Sequence, residues 1–285
     1  MSTRFQKLPG WVLLSLLANG LFVLAIALLL LRDNWFLASS QASAPNSLQS
    51  PPENRRLPLL AKNLTSGAEL GPRHQLNYQQ WVAQLGKEAE VIATQQPRNL
   101  SVLAGDSLSL WFPTDLLPPE RVWLNQGISG ETSKGLLKRL SLFDGTQPET
   151  IFVMIGINDL LRGVKDETLL ANQRQIIHYL RQIHPQAQIV VQSILPHADA
   201  KSTWEGRDRL LKIPNLRIRQ LNQQLKQIAA AEGANYLHLY PLFADAQGNL
   251  RPELSTDGLH LNPQGYLVWR SALQIFAQLQ PHSVN

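Results

Sequence analysis

The chain has 285 residues, enough for one large domain or for one domain with additional segments. Its formal net charge is +5, and beyond residue 40 the chain carries 23 basic and 20 acidic residues. A balance this mild, without basic clusters other than Arg55 and Arg56, argues against a nucleic-acid partner. The chain has no cysteine, which excludes disulfides, a thiolate nucleophile and cysteine-based metal sites.

The N-terminal part of the chain contains a long apolar segment. Residues 11–31 form a run of 21 residues without a charge, long enough to cross a hydrocarbon core of about 30 Å as a helix. We predict a retained transmembrane anchor rather than a signal peptide cleaved near Ala44. The run is longer than a signal-peptide core, and Arg32 and Asp33 separate it from the Ala-Ser-Ala sequence at residues 42–44.

The charges around this segment predict its orientation. Arg4 and Lys7 precede it and only Arg32 closely follows it, so the positive-inside rule places residues 1–10 in the cytoplasm. The remainder of the chain is then expected to be periplasmic or extracellular. Residues 32–75 are rich in Pro and Ser and lack periodicity, which predicts an extended linker between the membrane and the following domain.

After the linker, periodic patterns predict regular structure. Apolar residues at helical spacing predict a helix within residues 76–97. From residue 98 to residue 285, strand and helix patterns alternate, which predicts an α/β domain with a parallel five-stranded sheet covered on both faces. Strands are predicted at 100–104, 122–125, 151–155, 188–194 and 235–239, and helices near 131–142, 166–183, 215–232 and 264–279. Asn262 and Pro263 suit the start of the last helix.

Four short motifs follow one another in the second part of the chain. They read Gly-Asp-Ser-Leu at residues 105–108, Asn-Gln-Gly-Ile-Ser-Gly-Glu-Thr at 125–132, Gly-Ile-Asn-Asp at 156–159 and Asp-Gly-Leu-His at 257–260. The first three come directly after predicted strands. Since ligands bind beyond the carboxyl ends of parallel strands, Ser107, Gly130 and Asn158 are expected to converge on that edge of the sheet.

The residue types in these motifs suit ester cleavage by a serine nucleophile. Ser107 needs a base, because a serine hydroxyl is barely acidic. His260 is the candidate base, and Asp257, three residues earlier in a glycine-containing turn, can hold one ring nitrogen while the other faces the serine. The backbone N–H groups of Ser107 and Gly130 and the amide of Asn158 can donate hydrogen bonds to the oxyanion.

Taken singly, each motif has a structural explanation such as a helix cap or a turn. In this order they resemble the SGNH hydrolase family, also called GDSL esterases and lipases, over roughly residues 99–280. The Ile-Ser-Gly-Glu-Thr sequence at 128–132 is most similar to the thioesterase I/lysophospholipase branch. The resemblance implies a three-layer α/β/α flavodoxin-like fold and the nucleophile and oxyanion roles given above. It also implies that Gly130, rather than Gly127, is the glycine that donates to the oxyanion. For Asp106 it implies a role in bracing loops through backbone hydrogen bonds.

Other hydrolase classes fit less well. The order Ser, Asp, His also occurs in α/β-hydrolases, but their Gly-x-Ser-x-Gly elbow is absent around Ser107 and Asn158 would have no role. No His-Glu-x-x-His motif or clustered metal-ligand spacing indicates a metallohydrolase, so we expect neither metal nor cofactor. We therefore predict a membrane-anchored serine esterase for acyl lipids or O-acetylated glycans. The alternatives are an O-acyltransferase acting on cell-envelope glycans and a non-catalytic tethered binding domain.

Four further residues are candidates for lining the substrate site. Trp111 and Phe112 lie between the first two motifs, in a short interval that prolines interrupt. Either residue could instead pack in the core without contacting substrate. Arg162 closely follows Asn158 and could contact substrate or remain a solvated charge. His197 lies in a polar segment after a predicted strand, at an edge where loops often determine specificity.

Overall fold

The computed structural model describes residues 76–279. The predicted anchor at residues 11–31 and the predicted linker at residues 32–75 lie outside the described residues. None of the helices between residues 76 and 279 combines the length and apolarity that crossing a membrane requires.

Five parallel strands form a single sheet, as predicted. They are β1 (Leu100–Gly105), β2 (Val122–Gly127), β3 (Thr150–Met154), β4 (Gln188–Gln192) and β5 (Asn235–Leu237). Their order in the sheet is β2-β1-β3-β4-β5, and every neighbouring pair is parallel. The inner strands β1 and β3 are buried along their whole length, which explains their nearly continuous apolar sequence.

Helices follow each strand and also precede the sheet. They are α1 (Tyr78–Gln95), α2 (Ser107–Leu110), α3 (Ser133–Arg139), α4 (Ile157–Leu161), α5 (Asp166–Ile183), α6 (Arg207–Leu210), α7 (Asn215–Ala231), α8 (Tyr240–Phe243) and α9 (Pro263–Leu279). Side-chain caps determine where several begin. Asn77 and Gln80 form a capping box at α1, and the Asn262 side chain accepts from Gly265 N at α9.

The helices cover both faces of the sheet, which gives the predicted three-layer architecture. Alternate strand residues point to opposite faces. Val102 and Ile151 belong to the core under α1, α3, α5 and α7, whereas Leu103 and Phe152 belong to the core under α9. Trp269 of α9 is fully buried there. Fully burying a large apolar side chain contributes about 1.5–3 kcal/mol, so both faces contribute to stability.

The register of the sheet determines where functional loops meet. Gly105, at the end of β1, pairs with Gly127 of β2 on one side and with Met154 of β3 on the other. The chain order therefore reverses at β1, and the loops after three neighbouring strands begin at the same level. In open α/β sheets the crevice at such a switch point is the usual ligand site.

Candidate active site

Ser107 lies at the start of α2, immediately after β1. Its neighbour Asp106 is the N-cap, and the Asp106 Oδ1 atom accepts a hydrogen bond of 3.1 Å from Leu108 N. A side chain at Gly127 would overlap the backbone of Leu110, so glycine lets α2 lie directly against the end of β2. This close packing holds the nucleophile candidate at the sheet edge, where it is 6% exposed.

His260 and Asp257 form a short turn before α9. The His260 Nδ1 atom lies 2.7 Å from Asp257 Oδ2, and Asp257 Oδ1 accepts from the backbone N–H groups of Leu259 at 2.9 Å and His260 at 2.8 Å. Burial alone would raise the pKa of Asp257, but these hydrogen bonds lower it below its ordinary value. The carboxylate therefore stays ionised and binds the Nδ1 proton, which leaves Nε2 as the proton acceptor.

The position of this turn is determined by a segment distant in sequence. The main-chain oxygen of Asp257 accepts hydrogen bonds from Ser202 Oγ at 2.9 Å, Thr203 N at 2.8 Å and Trp204 N at 2.9 Å. Gly258 adopts a φ of 88°, and a side chain there would crowd Ser202. The role of these residues could not be predicted from the sequence, because nothing in their local pattern indicates a partner more than fifty residues away.

We call residues 106–110, which carry Ser107, the nucleophile turn. Trp111 contacts both the nucleophile turn and the turn that carries His260. Its backbone N donates to Ser107 O at 3.0 Å, and its ring centroid lies 4.4 Å from that of His260. The predicted site residue Trp111 is thus half-buried against the imidazole. Among residues 76–279 no hydrogen bond joins Ser107 to His260. In free hydrolases this bond is often long and tightens when substrate binds.

Gly130 and Asn158 flank the nucleophile turn from the two neighbouring loops. Gly130 has a φ of 73°, a conformation that glycine adopts without strain, and its N–H donates to no residue between 76 and 279. Asn158, in α4, donates one amide hydrogen to Asp106 Oδ2 at 3.4 Å. Arg162, one turn later, is exposed and donates from Nη2 to Gly130 O at 2.7 Å. Asn158 therefore contacts the residue next to Ser107, and Arg162 links Asn158 to Gly130 through its backbone N–H and its guanidinium.

Buried carboxylates lie beneath this edge. Burial raises the pKa of Asp106 to about 7, against the hydrogen bond from Leu108 N, and the charges of Asp159 and Glu131 add to the increase. Asp159 is fully buried and accepts from Ser133 N at 2.8 Å and from Ser133 Oγ at 2.5 Å. Burial also raises the pKa of Asp159. These contacts tie α4 to the start of α3, and none was predicted from the sequence.

Two of the candidate substrate-lining residues are buried, and for Phe112 this agrees with the alternative of core packing. Phe112 is 3% exposed and packs against Trp269 at 5.0 Å between ring centroids, in the core under α9. His197 is 1% exposed, its Nε2 lies 2.6 Å from Ile213 O and its Nδ1 accepts from Asp199 N at 3.0 Å. Burial lowers the pKa of His197. A neutral His197 therefore links the start of its loop to Ile213 by hydrogen bonding.

A cavity of about 10 Å³ lies behind Asp106, bounded mainly by apolar side chains that include Leu108, Ile194 and Leu259. This volume accommodates about one water molecule. Within residues 76–279 no group of three or more His, Asp or Glu side chains is arranged to hold a metal ion.

A serine, a histidine–carboxylate pair and N–H donors at the carboxyl edge of a parallel sheet define a serine hydrolase that acts on ester bonds. The chain belongs to the GDSL-like lipase/acylhydrolase family, whose model matches residues 101–268. The resemblance seen in the four motifs is thereby confirmed at the level of the family.

Individual relatives agree with this assignment. Platelet-activating factor acetylhydrolase IB subunit alpha1 of Homo sapiens is 26% identical over 175 residues, which cover 58% of this chain and 69% of that protein. A solved structure from Streptococcus pneumonia, named for platelet activating factor, is 27% identical with a TM-score of 0.58 and covers 68% of this chain and 94% of its own. A GDSL-like lipase from Bacteroides thetaiotaomicron shares the fold, with 18% identity, a TM-score of 0.57 and coverage of 69% and 97%.

Proposed function

We propose that this enzyme is a serine esterase that forms an acyl-enzyme on Ser107. The observation that carries this proposal is the 2.7 Å contact between His260 Nδ1 and Asp257 in a turn that Trp111 joins to the nucleophile turn. This contact leaves Nε2 of the imidazole as the ring nitrogen that can accept a proton from Ser107. Gly130 presents an N–H group that donates to no residue between 76 and 279.

The reaction follows from these positions. Ser107 Oγ attacks the ester carbonyl carbon while His260 Nε2 accepts its proton, and the carbonyl oxygen becomes an oxyanion. That oxyanion accepts hydrogen bonds from Ser107 N, Gly130 N and the second amide hydrogen of Asn158. Collapse breaks the ester C–O bond, and the leaving alkoxide takes the proton from His260. Water then attacks the acyl-enzyme by the same sequence of proton transfers and releases the acid and the free serine.

The relatives favour a short acyl group as the substrate feature, since the matched proteins are named as acetylhydrolases. We infer that acetyl esters, on a lipid or on a glycan, are better substrates than long-chain esters.

The proposal includes a location for the enzyme. The uncharged run at residues 11–31 would anchor the chain with the catalytic domain outside the cytoplasm, as the flanking charges indicate. Protease added to intact cells should then digest the domain, whereas an enzyme on the cytoplasmic side would be protected until the cells are lysed. Release of an active domain whose N-terminus lies near Ala44 would indicate a cleaved signal peptide instead.

Kinetics on a series of acyl esters test the mechanism. We expect the purified full-length enzyme to hydrolyse acetyl esters fastest, palmitoyl esters slowest, and Ser107→Ala to lose at least about 10³-fold in kcat. Equal activity of the Ser107→Ala variant contradicts the mechanism.

With a sugar present as acceptor, an acylated sugar in place of free acid would indicate transfer rather than hydrolysis.

A further inference from the structure

A buried ion pair lies between the nucleophile strand and the oxyanion loop. Glu131 and Arg139 are 5% and 3% exposed, and Arg139 Nε donates to Glu131 Oε2 at 2.9 Å. Burying two charges costs free energy that their attraction often fails to recover, and an apolar pair of similar volume is frequently as stable or more stable. Fold stability alone therefore does not account for this pair.

The hydrogen bonds of the pair connect the two loops that meet at Ser107. Arg139 Nη2 donates to Gly105 O at 3.2 Å, two residues before the serine. Glu131 directly follows Gly130, and its Oε1 accepts from Thr132 N at 3.1 Å. The ion pair is thus a bridge from the end of β1 to the residue next to the oxyanion donor.

The surroundings fit the carboxylate closely. A side chain at Gly135 would overlap Glu131 Oε1, so the glycine in α3 leaves the space that the carboxylate occupies. On the outer side, Trp81 and Leu85 of α1 pack with Ile128 of the same loop. Ile128 N donates to Gly105 O at 3.2 Å. The carbonyl of Gly105 therefore accepts two hydrogen bonds, one from the loop backbone and one from the ion pair.

We propose that Glu131 and Arg139 are positioning residues that fix the distance between Ser107 and the N–H group of Gly130. Oxyanion donors act at 2.7–3.1 Å from the developing charge, and a displacement of about 1 Å can cost about 100-fold in rate. The backbone bond from Ile128 ties the start of the loop to Gly105 O, and the bond from Arg162 to Gly130 O holds the loop from its exposed side. The rigid guanidinium of Arg139 adds a buried connection from Glu131 to the same Gly105 carbonyl. This inference rests on the proposed serine esterase mechanism.

The test uses variants that remove the bridge without leaving an unpaired buried charge. Glu131→Gln keeps the acceptor for Thr132 N, and Arg139→Met replaces the cation by an apolar chain of similar length. In the double variant we expect a folded enzyme, because both charges leave together. Arg139→Lys keeps the charge, but an ammonium group cannot reproduce the fork that reaches both Glu131 and Gly105, so its rate should also fall.

The readout is the rate per active site, counted by titration of the serine with a fluorophosphonate. For the double variant we expect kcat per labelled site to fall about 10- to 100-fold with a nearly unchanged KM, because only the transition state uses the oxyanion contact. Removing the more exposed ion pair Arg174–Glu232, which joins α5 to the residue after α7, is the control and should leave kcat unchanged.

The possible failures are distinguishable. A double variant whose kcat per labelled site equals that of the wild type, even with a lower melting temperature, shows a purely structural ion pair and overturns the inference. A wild-type enzyme that neither takes up the fluorophosphonate nor hydrolyses esters contradicts the proposed function instead. If Arg139→Lys keeps the full wild-type rate, the positive charge at this position is sufficient and the geometry of the guanidinium is not needed. That result would show that the inference is wrong.

Discussion

The two halves of the active site are held in place by different kinds of contact. The turn at residues 255–260 is stabilised by hydrogen bonds to main-chain groups, most of them within the turn itself. The oxyanion half depends on buried charged and polar side chains from separate helices, among them Arg139 with Glu131 and Asp159 with Ser133. Proton transfer thus relies on a turn held by hydrogen bonds to its backbone, from within the turn and from residues 202–204. Charge stabilisation relies on buried side chains that come from separate helices.

This difference indicates where each half is vulnerable. Changing a reacting group of the turn should abolish the reaction and leave the fold intact. Changes in the oxyanion half should give graded losses, because several loops share the positioning. The following variants are ordered from the largest expected effect to the smallest.

The largest loss is expected in the turn. His260→Gln removes the proton acceptor, so kcat/KM should fall by at least about 10³-fold, and Asp257→Asn, which disturbs the tautomer, should cost about 10⁴-fold. Melting temperatures measured by circular dichroism serve as the control and should remain close to that of the wild type. Retention of more than a tenth of the activity in either variant would show that another group acts as the base.

The oxyanion half should respond more moderately. Asn158→Ala removes one donor and should lower kcat by about 10²- to 10³-fold while KM changes little. Steady-state kinetics on an acetyl ester give both constants. A rise in KM at constant kcat would mean that Asn158 binds the ground state, and its role as an oxyanion donor would have to be abandoned.

The carboxyl groups of Asp106 and Asp257 should make the unfolding free energy change with pH in opposite directions. The pKa of Asp106 is raised to about 7. Its contribution to the unfolding free energy is therefore complete below about pH 4 and is lost as the pH rises towards 7. Between about pH 5 and pH 7 this amounts to a decrease on the order of 2 kcal/mol in the unfolding free energy. Asp257, with its lowered pKa, contributes above about pH 4 and loses that contribution as the pH falls through its folded-state pKa.

Urea unfolding of the wild type and of Asp106→Asn at several pH values isolates the first contribution. The variant has no ionisable group at this position, so its unfolding free energy should decrease less between about pH 5 and pH 7. Parallel curves for the two proteins would contradict the raised pKa of Asp106.

The smallest effect is expected at the exposed end of the oxyanion half. Arg162→Gln removes the hydrogen bond to Gly130 O, and we expect kcat to fall by less than about ten-fold because the buried contacts still hold the loop. Lys165→Gln removes a nearby exposed charge and serves as the control. Equal losses in both variants would attribute the effect to charge rather than to the Gly130 contact.

Much of the fold could be predicted from the sequence. Strands read from short apolar runs agree with the structure to within about two residues, and the last helix begins at Pro263 after the predicted cap. The short helices at Ser107 and Ile157 were not predicted, because four or five residues carry too little periodicity. Their position at the ends of β1 and β3 was nevertheless expected from the motifs.

Predicting contacts was harder. Local spacing placed His260 within reach of Asp257, since both belong to one turn. It could not show that Phe112 faces the core, because Trp269 lies far along the chain. Nor could it show that Arg139 is buried, because a basic residue on a helix is normally solvated and its partners Glu131 and Gly105 are determined by tertiary packing. Sequence patterns thus indicated the reacting groups and left out the groups that position them.

The identity of the nucleophile is the central claim, and covalent labelling tests it most directly. The full-length enzyme is treated with a fluorophosphonate, digested and analysed by mass spectrometry. The account predicts a single adduct on Ser107 that is lost in Ser107→Ala together with ester hydrolysis. An adduct on another residue, or ester hydrolysis that persists in Ser107→Ala, would contradict it.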